Sequence, residues 1–197
     1  MTATHDRKLP YFRTSIVLAG VLSSTVATAG SLKDLDKRAG FRDVSFEQSC
    51  DEIEGLKGNT GAVKAAVKAG MGAEAATPVY KGMLQYTRAA DVLEVGAAEL
   101  LGIHYTCYME QLMAVQVSAF GQRNSMPLRD ALIEAYGDPT SGDEDTGRWA
   151  WEGKKVVLTV VRDPLTRMTT ATWASVKMLD LKAKNDVADK KSAIQDL

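Results

Sequence analysis

The stretch from residue 99 to residue 120 constrains the fold most. ELLGIHYTCY (99–108) and QLMAVQVSAF (111–120) are strand-like runs separated only by Met109 and Glu110, which predicts a β-hairpin with a two-residue turn. Side chains on a strand alternate between two faces. Leu101, Ile103, Tyr105 and Cys107 fall on one face of the first run, and Leu100, His104, Thr106 and Tyr108 on the other. In the second run Met113, Val115, Val117 and Ala119 form an apolar face opposite Gln116 and Ser118. The apolar row has to be covered, so a helix packed on an antiparallel sheet is expected. His104 and Cys107, three apart on a strand, lie on opposite faces, so without an intervening bulge they do not make a nucleophile–base pair or share a metal.

The remaining elements fit around this hairpin. FRDVSF (41–46) reads as a short strand. Ser49 opens an S-C-D-E capping box with Glu52, which predicts a short helix from Cys50 to Leu56 with Cys50, Ile53 and Leu56 on one side. From Gly55 to Pro78 the composition turns to Gly, Ala and Lys, an insertion. Its GMGAEA lacks the preceding strand that a dinucleotide-binding glycine motif needs. VYKGMLQYTR (79–88) and VLEV (92–95) are strands. The second half repeats the plan. Ser125 or Asn124 caps a helix with Pro127 in its first turn and Leu128, Ala131, Leu132 and Ala135 as its stripe, stopped by Gly137 and Pro139. A TSGDEDTG loop leads to RWAWE (148–152), KKVVLTVVR (154–162) and RMTTATWASV (167–176), the first two forming a hairpin through Gly153. The fold class is therefore α+β: two tandem α-β-β-β units, 30–122 with the insertion at 55–78 and 123–176, followed by a charged tail, 177–197. In the tail Asp180–Lys184 and Asp186–Lys190 are spaced for helix-face ion pairs outside the core.

The N-terminus points to export. Arg7, Lys8 and Arg13 precede an apolar SIVLAGVLSSTV run that closes on Ala27-Thr28-Ala29, the layout of a signal peptide cleaved after Ala29. The run is short for a membrane span; an uncleaved anchor is the alternative. No cysteine follows it, so no lipid anchor is expected, and the mature chain is placed in the periplasm. Of the 197 residues, 168 follow the 29-residue leader. The whole chain has 24 basic and 25 acidic residues; losing Arg7, Lys8, Arg13 and Asp6 leaves 21 against 24, a net charge near −3. That balance offers no electrostatic footprint for nucleic acid or for a membrane surface. Two cysteines in an exported chain most simply form one disulfide. The predicted helix puts Cys50 with Ile53 and Leu56, and strand alternation puts Cys107 on the row that this helix covers. A Cys50–Cys107 bond pinning helix to sheet is the expectation, with free thiols the alternative.

The motifs that carry enzymatic chemistry are missing. There is no GxSxG, HExxH or GxxxxGK[ST], and His104 is the only histidine after the leader. Asp143, Glu144 and Asp145 lack the further oxygen positions and distal Glu of a calcium loop. No catalytic residue, metal site or cofactor is assigned. Core packing is the default reading for Trp149, Trp151 and Trp173, and they are the candidate partner-binding residues if exposed.

FRDVSFEQSCDEIEGL, YTRAADVLEVGAAELLGIHYTCY, LRDALIEAYGDP and WAWEGKKVVLTV resemble a pattern recurring in exported proteins of Gram-negative bacteria with no assigned activity. The resemblance covers roughly Gly40 to Val176 and rests on core and turn residues. At the level of fold, the tandem plan is similar to β-lactamase-inhibitor-like proteins and to the small lipoprotein of the outer-membrane assembly machine. Those bind other proteins and do not catalyse. The resemblance therefore implies a non-catalytic, periplasmic protein-binding module: an inhibitor, immunity factor or envelope-assembly accessory whose partner is another envelope protein. The alternatives are an envelope hydrolase using a carboxylate pair from Asp51, Glu52 and Glu54 or from Asp143, Glu144 and Asp145, and a carrier with an apolar pocket between the two repeats.

Overall fold

A computed structural model of the chain describes residues 30–56 and 82–195. The leader (1–29) and most of the Gly/Ala/Lys insertion (57–81) lie outside the described residues. The chain begins with α1 (Leu32–Arg38), then a small hairpin of β1 (Gly40–Phe41) and β2 (Val44–Ser45), and a 3-10 turn, η1 (Cys50–Glu52). Next come β3 (Met83–Tyr86), β4 (Glu94–Val95), β5 (Ala98–Glu99), β6 (Gly102–Tyr108) and β7 (Gln111–Phe120). The rest is α2 (Gln122–Tyr136), β8 (Ser141–Asp143), β9 (Arg148–Glu152), β10 (Val156–Asp163), β11 (Met168–Ser175) and α3 (Val176–Gln195).

Seven strands form one antiparallel sheet in the order β3-β6-β7-β11-β10-β9-β8. The strands of the first half and those of the second meet at β7 and β11, the last strand of each half. Moving outward from that seam, the strands run in reverse chain order on both sides, β7-β6-β3 on one and β11-β10-β9-β8 on the other. The fold is α+β, with helices packed on antiparallel sheet. The β6–β7 turn is the predicted Met109-Glu110 pair, both left-handed at φ 49° and 65°, the conformation that matches strand twist.

One face of the sheet carries the main core. Tyr105, Val115, Val117, Leu158, Trp151 and Trp173 are all under 3 % exposed there. They are covered by Leu128 and Leu132 of α2, Leu35 of α1, Phe41 and Val44 of the small hairpin, and Ile53 and Leu56 after η1. The alternation expected on β7 breaks at a bulge. Thr106 pairs with Ala114 but Cys107 pairs with Leu112, so Leu112, not Met113, joins the main core. Met113 belongs to a second cluster with Met83, Tyr108 and Met178. An extra residue in one strand flips every side chain beyond it.

Several boundaries differ from expectation. The 41–46 segment is a hairpin turning at Arg42-Asp43, not a strand; Arg42 has φ 53°. The helix expected over 50–56 is a single 3-10 turn. Ser49 makes no side-chain cap and instead bridges Gln111 at the start of β7. The capping box occurs earlier, where Ser31 and Asp34 open α1, a helix not anticipated. α2 begins at Gln122, because the Asn124 and Ser125 N–H groups close on the Gly121 carbonyl. Pro127 thus sits in the second turn. Ser125 instead bonds Gly121 and accepts from Thr169. Leu100 is buried and Leu101 is 61 % exposed, the reverse of the expected faces, because β6 starts only at Gly102. Within the acidic loop, Ser141–Asp143 adds an edge strand. The tail is helical, and its root is core: Met178 is fully buried. The observed tail pair is Lys182–Asp186.

Candidate functional site

Only one sheet face is covered by α1, α2 and the small hairpin. On the other, α3 packs at one end, where Met178 meets Met83, Tyr108 and Met113 and Asn185 donates to the Tyr108 hydroxyl at 2.9 Å. Beyond that end the face is open among the described residues. Strand register arranges it in rows. His104, Gln116, Thr172, Thr159, Ala150 and Ser141 stand directly cross-strand from one another over six strands. The next row runs Gly102, Ser118, Thr170, Val161, Arg148 and Asp143, and beyond it Phe120, Met168 and Asp163 line up. Most of the first row is half-buried. These hydroxyl, amide and imidazole groups form a polar platform across the strands.

Apolar side chains edge the platform at the end opposite α3. Phe120 is 50 % exposed, Val161 38 % and Leu165, in the β10–β11 turn, 92 %. Between that turn and the start of α2 lies a depression of about 610 Å³ lined by Phe120, Arg162 and Arg167. Exposed large apolar groups beside a hydrogen-bonding field supply both contact types that protein interfaces combine, here with the apolar groups at the margin and not, as is usual, at the centre.

The residues singled out from sequence are placed as follows. Cys50 and Cys107 are disulfide-bonded, with Cα atoms 6.4 Å apart. His104 lies on the open face opposite Gln116, and Cys107 on the core face, so they are not brought together. Trp149, Trp151 and Trp173 are 8, 0 and 2 % exposed. This corrects their candidacy as an exposed partner-binding surface: odd positions on β9 and β11 point at the helices, where the indoles fill core volume. The Trp151 indole donates to the Gly137 carbonyl at 2.8 Å.

The acidic residues are engaged structurally. Glu144 bridges Arg129 at 2.7 Å and Arg162 at 2.9 Å. Both guanidinium groups lie over the Trp149 ring, at 5.9 and 5.6 Å. The loop is therefore strapped to α2 and β10. Asp143 accepts the Thr146 N–H at 2.7 Å, and that bond holds its carboxyl below the usual range. Asp51, Glu52 and Glu54 are exposed. No group of three or more potential metal ligands gathers among the described residues.

Three polar networks, centred on Arg88, Asp36 and Glu47, were not legible in the sequence. Arg88 forms a bidentate pair with Asp43, both bonds 3.0 Å, and lies 3.9 Å from Asp91. The Tyr105 hydroxyl donates to Asp91 at 3.0 Å; burial, reinforced by that carboxylate, pushes the phenol up to about 12. Asp36 accepts the backbone N–H groups of Lys154, Lys155 and Val156, tying α1 to the β9–β10 turn. Glu47, left-handed at φ 70°, accepts from Ser175 at 3.0 Å and Lys177 at 2.6 Å, fastening the start of α3. Each joins residues distant in sequence, and only an exposed-looking charge marked it beforehand.

No protein family, curated protein or solved structure matches this chain. The disulfide is of the kind that persists in oxidising compartments outside the cytoplasm. No helix among the described residues is long and apolar enough to cross a membrane.

Proposed function

We propose that this is a non-catalytic protein-binding module of the bacterial periplasm that docks another envelope protein on its open sheet face. The observation that carries the reading is the cross-strand row from His104 to Ser141, backed by a rigid core and edged by Phe120, Val161 and Leu165. A sheet braced on one side by helices and a disulfide presents a preorganised surface, which lowers the ordering cost of binding. Support against a hydrolase comes from the carboxylates themselves: Glu144 is neutralised by two arginines, while Asp51, Glu52 and Glu54 sit in solvent. A general acid needs a desolvated carboxyl in a cleft.

The face is tested at its centre. Thr172→Arg places a long cation in the middle of the platform without touching the core. Affinity capture from an envelope extract is compared for the native chain and for this variant, with folding checked by circular dichroism. A stoichiometric protein retained by the native chain and lost by Thr172→Arg is the expected result. A partner held equally by both, or a co-purifying small metabolite in its place, overturns the reading.

A further inference from the structure

A second surface, of different character, lies where the β9–β10 turn meets the start of α3. Lys154 and Lys155 come from the turn, and Lys177 and Lys184 from the first turns of the helix. Two adjoining hollows of about 410 and 470 Å³ share Lys154 and Lys177 in their walls. Phe46 and Val156 line the first, and Val176 and Leu181 the second. Two carboxylates, Glu47 and Asp180, also line the groove. Glu47 is already engaged by Lys177 and Ser175. Among the described residues no carboxylate forms an ion pair with Lys154, Lys155 or Lys184.

The scaffold beneath these lysines is fixed. Asp36 holds the Lys154, Lys155 and Val156 amides at 2.8, 2.8 and 3.2 Å, and the Val176 N–H bonds the Lys155 carbonyl at 2.9 Å. The positive end of the α3 dipole falls here as well, and no acidic residue occupies its first turn. Four ammonium groups thus stand around one groove, against three carboxylates: Glu47, which pairs Lys177, Asp180 in the wall and Asp36 beneath the turn.

We propose that this groove docks an acidic, amphipathic segment of a partner protein, with carboxylates on Lys154, Lys155 and Lys184 and apolar side chains over Val176 and Leu181. Lysine is a compact point charge that meets a carboxylate from many directions. The interspersed Glu47 and Asp180 suit a ligand whose polarity alternates, and they repel a uniformly anionic lipid surface. The proposal does not depend on the open face, and the two are separable by mutation.

The experiment is fluorescence anisotropy of the full chain with a short labelled peptide alternating Glu and Leu. Saturable binding that weakens as salt screens the charges is expected. The double variant Lys154→Glu/Lys184→Glu should weaken it by about tenfold or more, as charge reversal at an electrostatic interface does. Thr172→Arg leaves it unchanged. Thermal melts confirm that each variant is folded. The proposal is overturned by absence of saturable binding, by equal binding to the double-lysine variant, or by equal binding of a Lys–Leu peptide. Lysine-dependent capture by phosphatidylglycerol vesicles with no peptide binding also overturns it, in favour of a lipid surface.

Discussion

Removing the Cys50–Cys107 bond is the perturbation whose size follows most directly from the structure. The two residues are 57 apart in sequence, and closing a loop of that length removes roughly 14 cal/mol/K from the unfolded chain, or about 4 kcal/mol at 25 °C. Both sulfurs are buried, Cys50 at 6 % and Cys107 at 2 % exposure, so the choice of replacement matters. Serine adds the cost of burying a hydroxyl; the double variant Cys50→Ala/Cys107→Ala comes closer to isolating the crosslink. Urea unfolding followed by tryptophan fluorescence is a suitable assay, because Trp151 and Trp173 are in the same core as the bond. The expected loss is about 2–5 kcal/mol, a large part of a typical domain's 5–15 kcal/mol. The single variant Cys107→Ser should lose at least as much and be readily degraded by protease. A loss below about 1 kcal/mol, or two titratable thiols in the denatured, unreduced protein, refutes the reasoning and restores Cys107 as a candidate reactive thiol.

Arg88→Met should cost about 3–5 kcal/mol in urea unfolding, since it leaves the buried Asp91 carboxylate without its nearby cation; a loss under about 1 kcal/mol contradicts the buried network. Trp151→Phe should cost about 2–4 kcal/mol through lost volume and an unpaired Gly137 carbonyl, and a near-neutral melt argues against the packing described. For pH, the carboxyls of Asp43 and Glu47 are held below their ordinary values, chiefly by hydrogen bonds from Arg88 and Lys177. Burial pushes the Asp36 carboxyl up, but three backbone N–H donors outweigh it. Groups depressed in the folded state stabilise it above their unfolded pKa and lose that contribution as pH falls through the folded value. The urea midpoint should therefore be flat from neutral pH down to about 5 and fall below about 4, and a midpoint that rises on acidification contradicts the assignment.

The sequence was most legible where periodicity and burial coincide. β6, β7, β9 and the hairpin joining β9 to β10 follow from alternation, because a half-buried strand must alternate and a one-residue error exposes the whole apolar row. Reading failed where backbone geometry departs from a regular period. The Met113 bulge leaves no mark in a run of apolar residues, since either face accepts Leu or Met. Ser49 carried the letters of a capping box, but its backbone pairs with Gln111 instead, so tertiary pairing overrode the local preference. β8 lacks β-favouring residues entirely; Ser141, Gly142 and Asp143 are strand only because β9 offers an edge.

The candidate surfaces were less legible than the fold, for a physical reason. A core announces itself through hydrophobic spacing, but a polar platform is assembled from register, and register couples residues far apart. His104 and Thr172 are neighbours across Gln116 only because β7 pairs with both β6 and β11. The tryptophans attracted attention because they are rare and large, and those properties are what bury them. The lysine groove was hidden similarly, for Lys154, Lys155, Lys177 and Lys184 read as ordinary turn and tail charges. The β10–β11 register, which sets Val156 opposite Ser175, and the Val176 N–H bond to the Lys155 carbonyl bring them to one place, and the Asp36 and Glu47 contacts hold the turn and the root of α3 there. The lysine groove therefore leans on the long-range polar contacts that fasten α1 and α3 to the sheet, and the open platform does not. Loss of Asp36 or Glu47 should then loosen the lysine groove first, while the central strands of the open platform, held by their own ladders and by the main core, remain in register.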